Sequence, residues 1–163
     1  MKQITSLALI MLFAFGSSFA KDRMSKHVTV KGDNVTVTYG QPSKKQGNVV
    51  PESGKPWVTS VDEPAIVTLP KGCMFAGRQI NPGTYSLVTI PYKGEWIIYL
   101  LNDLNPSADK LTIEKLRAEN MLYGNEMIGH ADKAVDAFTI EAVKDGLLIS
   151  WDKSNIMIPV QPW

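Results

Sequence analysis

Residues 82–101 read PGTYSLVTIPYKGEWIIYLL. Two runs rich in β-branched and aromatic residues flank the short connection 92–94, which predicts two antiparallel strands that start near Thr84 and Glu95. The second run is apolar at alternate positions on both faces of the expected strand, because successive side chains point to opposite sides. We therefore expect Trp96 to lie in a hydrophobic core rather than on a binding surface.

Alternation of apolar and polar residues, which is typical of half-buried strands, recurs along most of the remaining chain. Turn-forming residues separate these runs at positions 32–33, 81–83, 144–146 and 152–154. Many short strands at close spacing, with glycine and proline between them, indicate a sandwich or a barrel. We therefore predict the all-β class, with a single jelly-roll-like β-sandwich domain over residues 21–163.

The segment 103–124 has a different composition from the rest of the chain. It is rich in Leu, Glu, Lys, Arg and Ala, which favour helix. Gly124 stands where the glycine that ends a helix is expected. The pattern predicts one short helical insertion in the β-sandwich, near residues 109–122.

The first twenty residues have the pattern of a secretory signal peptide. Lys2 precedes a short apolar stretch, and small residues lead to Ala20. The apolar stretch is shorter than the roughly 20 residues that a membrane-spanning helix needs. We predict cleavage after Ala20 and a periplasmic or secreted protein, and we expect no membrane span in residues 21–163.

The charge balance and the histidines argue against two kinds of partner. The sequence has 17 basic and 16 acidic residues, and Lys2 is the only charged residue before position 21, so the rest is formally neutral. A nucleic-acid-binding surface needs a basic patch, and no basic run is longer than Lys44-Lys45, so nucleic acid is not expected as a partner. His27 and His130 have no second ligand at metal-binding spacing, so neither a metal nor another cofactor is expected. The oligomeric state is left open.

Several motifs then occur in an order that covers most of residues 35–160. They are YGQPSKKQG at 39–47, GKPW at 54–57, PGTYSLVTIP at 82–91, EWIIYLLN at 95–102 and LLISWDKSNIMIPV at 147–160. In these motifs the chain resembles the DUF2911 family, a bacterial domain of unknown function. The resemblance implies an exported protein with a β-sandwich fold, and it implies no particular activity.

Residues 57–63 depart from the pattern that this resemblance leads us to expect. The family strip reads Trp-Arg-x-Gly-Ala-Asn-Glu, whereas this chain has WVTSVDE. Trp57 and Glu63 match, but Val58 stands in place of the arginine and Asp62 in place of the asparagine. The lost cation argues against an anionic ligand. The family also carries a tryptophan–glycine loop after EWIIYLLN, where this chain has the helical insertion, so a function found in relatives would transfer poorly.

Two classes of function remain. The favoured hypothesis is an exported, non-catalytic binding or interaction domain of the bacterial cell envelope, with a neutral small molecule, sugar or peptide as its ligand. Its candidate binding residues are Trp57, Asp62 and Glu63 beside the 41–56 loop, because an aromatic face with a few polar groups suits such ligands. The alternative is an envelope hydrolase-like enzyme with Glu63 or Asp62 as general base. The alternative requires Asp62, Glu63 and His130 to meet in one pocket, although neighbouring residues of an extended strand point to opposite faces.

Overall fold

The computed structural model describes residues 25–43, 45, 50, 52–118 and 122–163. The strands of this part of the chain are β1 (Lys26–Lys31), β2 (Thr36–Gln41), β3 (Ala65–Leu69), β4 (Cys73–Phe75), β5 (Arg78–Ile80), β6 (Gly83–Pro91), β7 (Glu95–Leu101), β8 (Leu122–Val143) and β9 (Gly146–Pro162). They form one antiparallel sheet in the order β1-β2-β3-β6-β7-β8-β9-β4-β5. The all-β class is confirmed. The two separate sheets of a jelly-roll-like sandwich are not confirmed, because hydrogen bonds connect all nine strands into one sheet.

The hairpin predicted from residues 82–101 is present as β6 and β7. The two strands pair antiparallel from Ser86 opposite Leu101 to Pro91 opposite Trp96. Gly94 in the connection has φ of 98°, a conformation that glycine adopts without the steric cost of a side chain. Trp96 is 4% exposed, so the prediction that it belongs to the core is confirmed.

The sheet curves around one main hydrophobic core. One half of the sheet supplies Val37, Leu87 and Ile98, from β2, β6 and β7. The other half supplies residues such as Phe138 and Ile149, from β8 and β9, to the same cluster. A flat sheet could not bring these side chains together, so the sheet coils until its two halves pack on each other. Burial of this shared apolar face is the main stabilising contribution to the fold.

A smaller cluster covers the outer face of the β6–β7 hairpin. Its buried members are Val88, Ile90, Tyr99, Leu101, Leu111 and Leu116. The last two belong to the insertion that follows β7, which forms one turn of 3-10 helix (Ala108–Lys110) and the helix α1 (Ile113–Ala118). The insertion therefore shields β6 and β7 from solvent on the face that the main core leaves open. Within the described ranges, no helix has the length and the apolar composition needed to cross a bilayer.

Two predictions about the helical insertion need correction, and one prediction falls outside the described residues. The helix is shorter than the predicted range 109–122, and β8 already begins at Leu122. Gly124 does not end a helix; it lies in β8, where a Cβ atom would come within 2.5 Å of the carbonyl oxygen of Ala76. The predicted signal peptide, residues 1–20, lies outside the described part of the chain.

The turn predicted at 152–154 is also wrong, because β9 continues through these residues. Asp152 has φ of 52°, and the pairing with β8 shifts register on both sides of Val135. Extra residues of β8 are therefore accommodated as bulges, which bend the two strands without ending them. The other predicted turns, at 32–33, 81–83 and 144–146, do lie where consecutive strands meet.

Candidate functional site

The turn that joins β6 to β7 marks one end of the sheet, and several candidate residues lie beside it. Near this turn, Trp96 of β7 lies opposite Glu126 of β8. Trp57 exchanges two backbone hydrogen bonds of 2.8 Å with Thr89, close to the end of β6. Trp57 therefore continues the pairing of β3 along β6, and the residues between Trp57 and Ala65 loop out of this line. We call this region, made up of the β6–β7 turn, Glu126 and the segment 57–63, the hairpin end.

The segment 57–63 has an irregular backbone that is held by buried hydroxyl groups. Thr59 has φ of 56° and Asp62 has φ of 69°, a left-handed conformation that is uncommon for residues other than glycine. The Thr59 hydroxyl donates to Oγ1 of Thr89 at 3.1 Å. The Ser60 hydroxyl accepts from the backbone N–H of Gly40 at 2.8 Å. Because both hydroxyls are buried and bonded, they fix the path of the segment against the sheet.

Trp57 lies inside the main core. Its ring meets Trp96 edge-on at 6.3 Å and Phe138 edge-on at 4.9 Å between ring centroids. Its indole N–H donates to the carbonyl oxygen of Ser60 at 3.2 Å. Only 8% of the residue is exposed, so little of the indole face is available to a ligand. The geometry makes Trp57 the anchor of the segment 57–63.

Asp62 and Glu63 lie closer to the surface. The Asp62 carboxylate accepts hydrogen bonds from the backbone N–H of Ser25 at 2.9 Å and from its hydroxyl at 2.7 Å. Asp62 is exposed and Glu63 is partly exposed. Neither residue lies in a strand, so the alternation argument for opposite faces does not apply to them. His130 belongs to a different element, β8, where it lies opposite Ser154.

Among the described residues, neither a group of metal ligands nor the cleft beside the β1–β2 turn gives a stronger candidate. In the part of the chain that the structure describes, no three His, Cys, Asp or Glu residues are grouped so that they could hold a metal ion. One cleft of about 20 Å³ lies at the opposite end of β1 and β2, and the residues that line it include Asp33, Asn34 and Lys144. A cleft of this volume has room for about one water molecule.

Glu126 is a residue of the hairpin end that sequence reasoning missed. Residues directly opposite each other in a sheet share a face, so Glu126 lies on the same face as the buried Trp96. Burial raises the pKa of the Glu126 carboxyl above its ordinary value. The sequence offers one signal for this position. Glu126 and Ile128 are two residues apart and so share a face of the strand, and Ile128 packs against the core. That signal becomes informative only when the pairing with β7 is known.

Comparison with known proteins adds a family and nothing more specific. A family described as protein of unknown function (DUF2911) matches residues 21–160. No curated protein and no solved structure matches the chain. The family match covers the whole of the sheet up to Val160, including the segment 57–63 and Glu126. The chain therefore belongs to the DUF2911 family of proteins of unknown function.

Proposed function

We propose that the protein is an exported, non-catalytic binding or interaction domain of the bacterial cell envelope. Its ligand would be a neutral small molecule, sugar or peptide, bound at the hairpin end. The observation that carries this proposal is the backbone of 57–63, where Thr59 and Asp62 are both held in left-handed conformations. Strained residues that the surrounding structure holds in place are concentrated at binding and active sites. Binding residues are also frequently placed on irregular segments that a rigid scaffold supports.

Within this proposal the three candidate residues have different tasks. Asp62 and Glu63 supply polar contacts to the ligand, since they are the polar residues of the segment that are not buried. Trp57 is a positioning residue, because its indole is packed between Trp96 and Phe138. The sequence led us to expect an aromatic contact between Trp57 and a ligand, and this contact is limited because only 8% of the residue is exposed.

For Asp62, its contacts favour the binding hypothesis over the role of general base in the hydrolase-like alternative. A general base needs a lone pair directed at the proton that it removes. Oδ2 of Asp62 already accepts two hydrogen bonds from Ser25, which ties the carboxylate to the start of β1. This arrangement suits a residue that fixes a loop better than one that takes up a proton.

Export is supported by the leader pattern and by the extent of the family match. The match spans residues 21–160 and leaves out 1–20, as expected for a segment that is removed during export. Intact-mass measurement of the protein recovered from the envelope fraction and from the medium tests this part of the proposal. We expect a chain that begins at Lys21. A recovered chain that still begins at Met1 would overturn it.

Binding is tested with amide-resolved NMR titrations of the labelled domain against a panel of neutral sugars and short peptides. We expect saturable shifts in residues 57–63 for one ligand class. Glu63→Gln should weaken that binding about tenfold or more, which corresponds to roughly 1.4 kcal/mol. Glu114→Gln, in the exposed first turn of α1, is the matched control and should bind as the wild type does. If no member of the panel produces saturable shifts, the result counts against a binding domain of this kind.

A further inference from the structure

Trp163 is the most exposed of the four tryptophans in the sequence. It is 58% exposed, whereas Trp57 and Trp96 are buried and Trp151 is half-buried. Its indole lies directly on the backbone of Gly72, because a Cβ atom at Gly72 would lie 2.7 Å from Cε2 of the ring and 3.0 Å from Nε1. Gly72 therefore supports the ring, while most of the residue remains accessible to solvent.

The ring belongs to the outer face of β9, β4 and β5. Cys73 and Phe75 point into the main core, so Met74 between them points outward, as does the position of Gly72. Gln161 of β9 and Gln79 of β5 lie opposite Met74 on its two sides and therefore share its face. Both glutamines are exposed. We call this surface the Trp163 face; it consists of Gly72, Met74, Gln79, Gln161 and Trp163.

Packing in a hydrophobic core is the competing explanation for an aromatic residue at this place. Among the described residues, Trp163 contributes to neither of the two hydrophobic clusters. The insertion that contains α1 covers a different part of the sheet, the outer face of β6 and β7. Core burial therefore does not account for Trp163. An exposed apolar surface with polar residues at its rim is a common mark of an interaction site.

The polar groups of the Trp163 face are uncharged carboxamides. A carboxamide both donates and accepts hydrogen bonds, as does a sugar hydroxyl, so the two groups pair in either direction. The faces of a sugar ring carry C–H groups, which pack on the flat apolar surface of an indole. Arg78 lies opposite Phe75 and so on the other side of the sheet. Lys71 is a single exposed cation next to Gly72, and exposed ion pairs contribute little. This chemistry favours a neutral carbohydrate over an anionic ligand.

A peptide fits this surface less well than a carbohydrate does. Extended peptides commonly bind by adding a strand to an exposed edge of a sheet, where backbone groups are free to pair. The backbone of β4 is paired with β9 on one side and with β5 on the other. The centre of the Trp163 face thus offers side chains rather than backbone groups, which suits a ligand that is recognised by its hydroxyl groups.

We propose that the Trp163 face is a binding site for a neutral oligosaccharide. One sugar ring stacks on the indole of Trp163, and Gln79 and Gln161 form hydrogen bonds with hydroxyl groups of the chain. Two strand spacings, roughly 10 Å, separate the two glutamines, so several linked sugars are needed to reach both. Gly72 is a positioning residue, because it supports the indole from below. The site shares no residue with the hairpin end, and the inference goes beyond the binding function proposed there.

Calorimetric titration with cellohexaose, maltohexaose and chitohexaose tests the inference. Wild type should bind at least one of these neutral probes, and binding should shift the indole N–H resonance of Trp163 in NMR spectra of the labelled protein. Trp163→Ala should weaken this binding about tenfold or more. Gly72→Ala should weaken it too, because the added methyl group displaces the indole. The backbone of Gly72 lies outside the left-handed region, so alanine adds no strain of its own.

The controls are Lys71→Ala, which removes the neighbouring cation, and Glu114→Gln, in the first turn of α1. Both should bind the neutral probe as the wild type does, and thermal melting establishes that each variant is folded. Dextran sulfate is the anionic comparison and should bind no more tightly than the neutral probe.

Three results would overturn the inference: no binding of any neutral probe, binding that is unchanged in Trp163→Ala, or tighter binding of dextran sulfate that is lost in Lys71→Ala. The place of the NMR shifts keeps the two proposals apart. Shifts confined to residues 57–63 and retained in Trp163→Ala leave the hairpin end as the binding site and remove the Trp163 face. Shifts confined to the Trp163 face support this inference and count against the hairpin end.

Discussion

The phenol oxygen of Tyr39 in β2 accepts a hydrogen bond of 2.9 Å from the backbone N–H of Ile140 in β8. Three strands lie between β2 and β8 in the order of the sheet, so this contact joins its two halves across the core. The N–H of Phe138 also donates to the carbonyl oxygen of Pro42 at 2.9 Å beside it. Together these bonds satisfy backbone donors on an edge of β8 that β7 does not reach.

Replacement of Tyr39 by phenylalanine should destabilise the protein by about 1–3 kcal/mol, because the buried N–H of Ile140 loses its partner. Urea denaturation of both proteins measures this difference. Tyr85→Phe is the matched control, since the Tyr85 hydroxyl donates to the carbonyl oxygen of the exposed Asn81, which water can reach. The control substitution should lower the free energy of unfolding by clearly less than Tyr39→Phe does. Equal losses in the two variants would mean that the Tyr39 contact has no special part in closing the sheet.

The hairpin of residues 82–101 could be predicted because the information is local. A short connection between two apolar runs specifies antiparallel pairing, and Trp96 falls on the core face by alternation alone. The closure of the sheet could not be predicted in this way. Tyr39 and Ile140 are separated by 101 positions, and no pattern within either strand marks them as partners.

At Asp62 we expect the shape of the side chain to affect the stability of the protein more than its charge does. Its φ of 69° is tolerated by asparagine and aspartate and is a strained conformation for a β-branched residue. Asp62→Asn should stay within about 0.5 kcal/mol of the wild type, because the amide oxygen can still accept from Ser25. Asp62→Val should cost about 1–3 kcal/mol in strain and lost hydrogen bonds. Thermal denaturation of the two variants side by side makes the comparison, and equal stability of the two would contradict the strain at this position.

The candidate site was predictable only in part. The acids Asp62 and Glu63 could be named from the strip after Trp57, but the strip was read as a strand, and its left-handed residues have no signature in the local pattern. Trp57 was expected at the surface because it follows a polar loop. Its burial depends on Trp96 and Phe138, which come from strands far along the chain.

Glu126→Gln should raise stability at neutral pH. Burial raises the pKa of Glu126 in the folded state above the unfolded value of about 4.3, so charging the group costs the folded state more than the unfolded one. The penalty is present above the folded pKa and disappears as the pH falls toward the unfolded pKa, where Glu126 is protonated in both states. The melting temperature of the variant should therefore exceed that of the wild type at pH 7 and approach it near pH 4. A variant that is less stable than the wild type at pH 7 would contradict this assignment.

Glu52→Gln is the control for the pH series, because its hydrogen bond and ion pair with Lys55 lower the pKa of Glu52. The pair with Lys55 stabilises the folded state, whereas the charge on Glu126 destabilises it. The stabilisation by the pair is present above the unfolded pKa of Glu52 and is lost as the pH falls. The pair is exposed, and exposed ion pairs contribute little to stability. We expect a small loss or no change in Glu52→Gln at pH 7, in contrast to the gain in Glu126→Gln.

The last prediction concerns the insertion between β7 and β8. Leu116 of α1 is fully buried against the outer face of the β6–β7 hairpin, where it meets the cluster that contains Val88 and Tyr99. Leu116→Ala should cost about 2–5 kcal/mol, because the substitution removes buried methyl groups and leaves a cavity above two strands that are already buried on their other face. Arg117→Ala, one residue along on the exposed side of the same helix, should change stability by no more than about 0.5 kcal/mol. Urea denaturation of the two variants shows whether the packing of the helix on the hairpin contributes to the stability of the fold. A Leu116→Ala protein as stable as Arg117→Ala would show that the hairpin does not need the insertion as a cover.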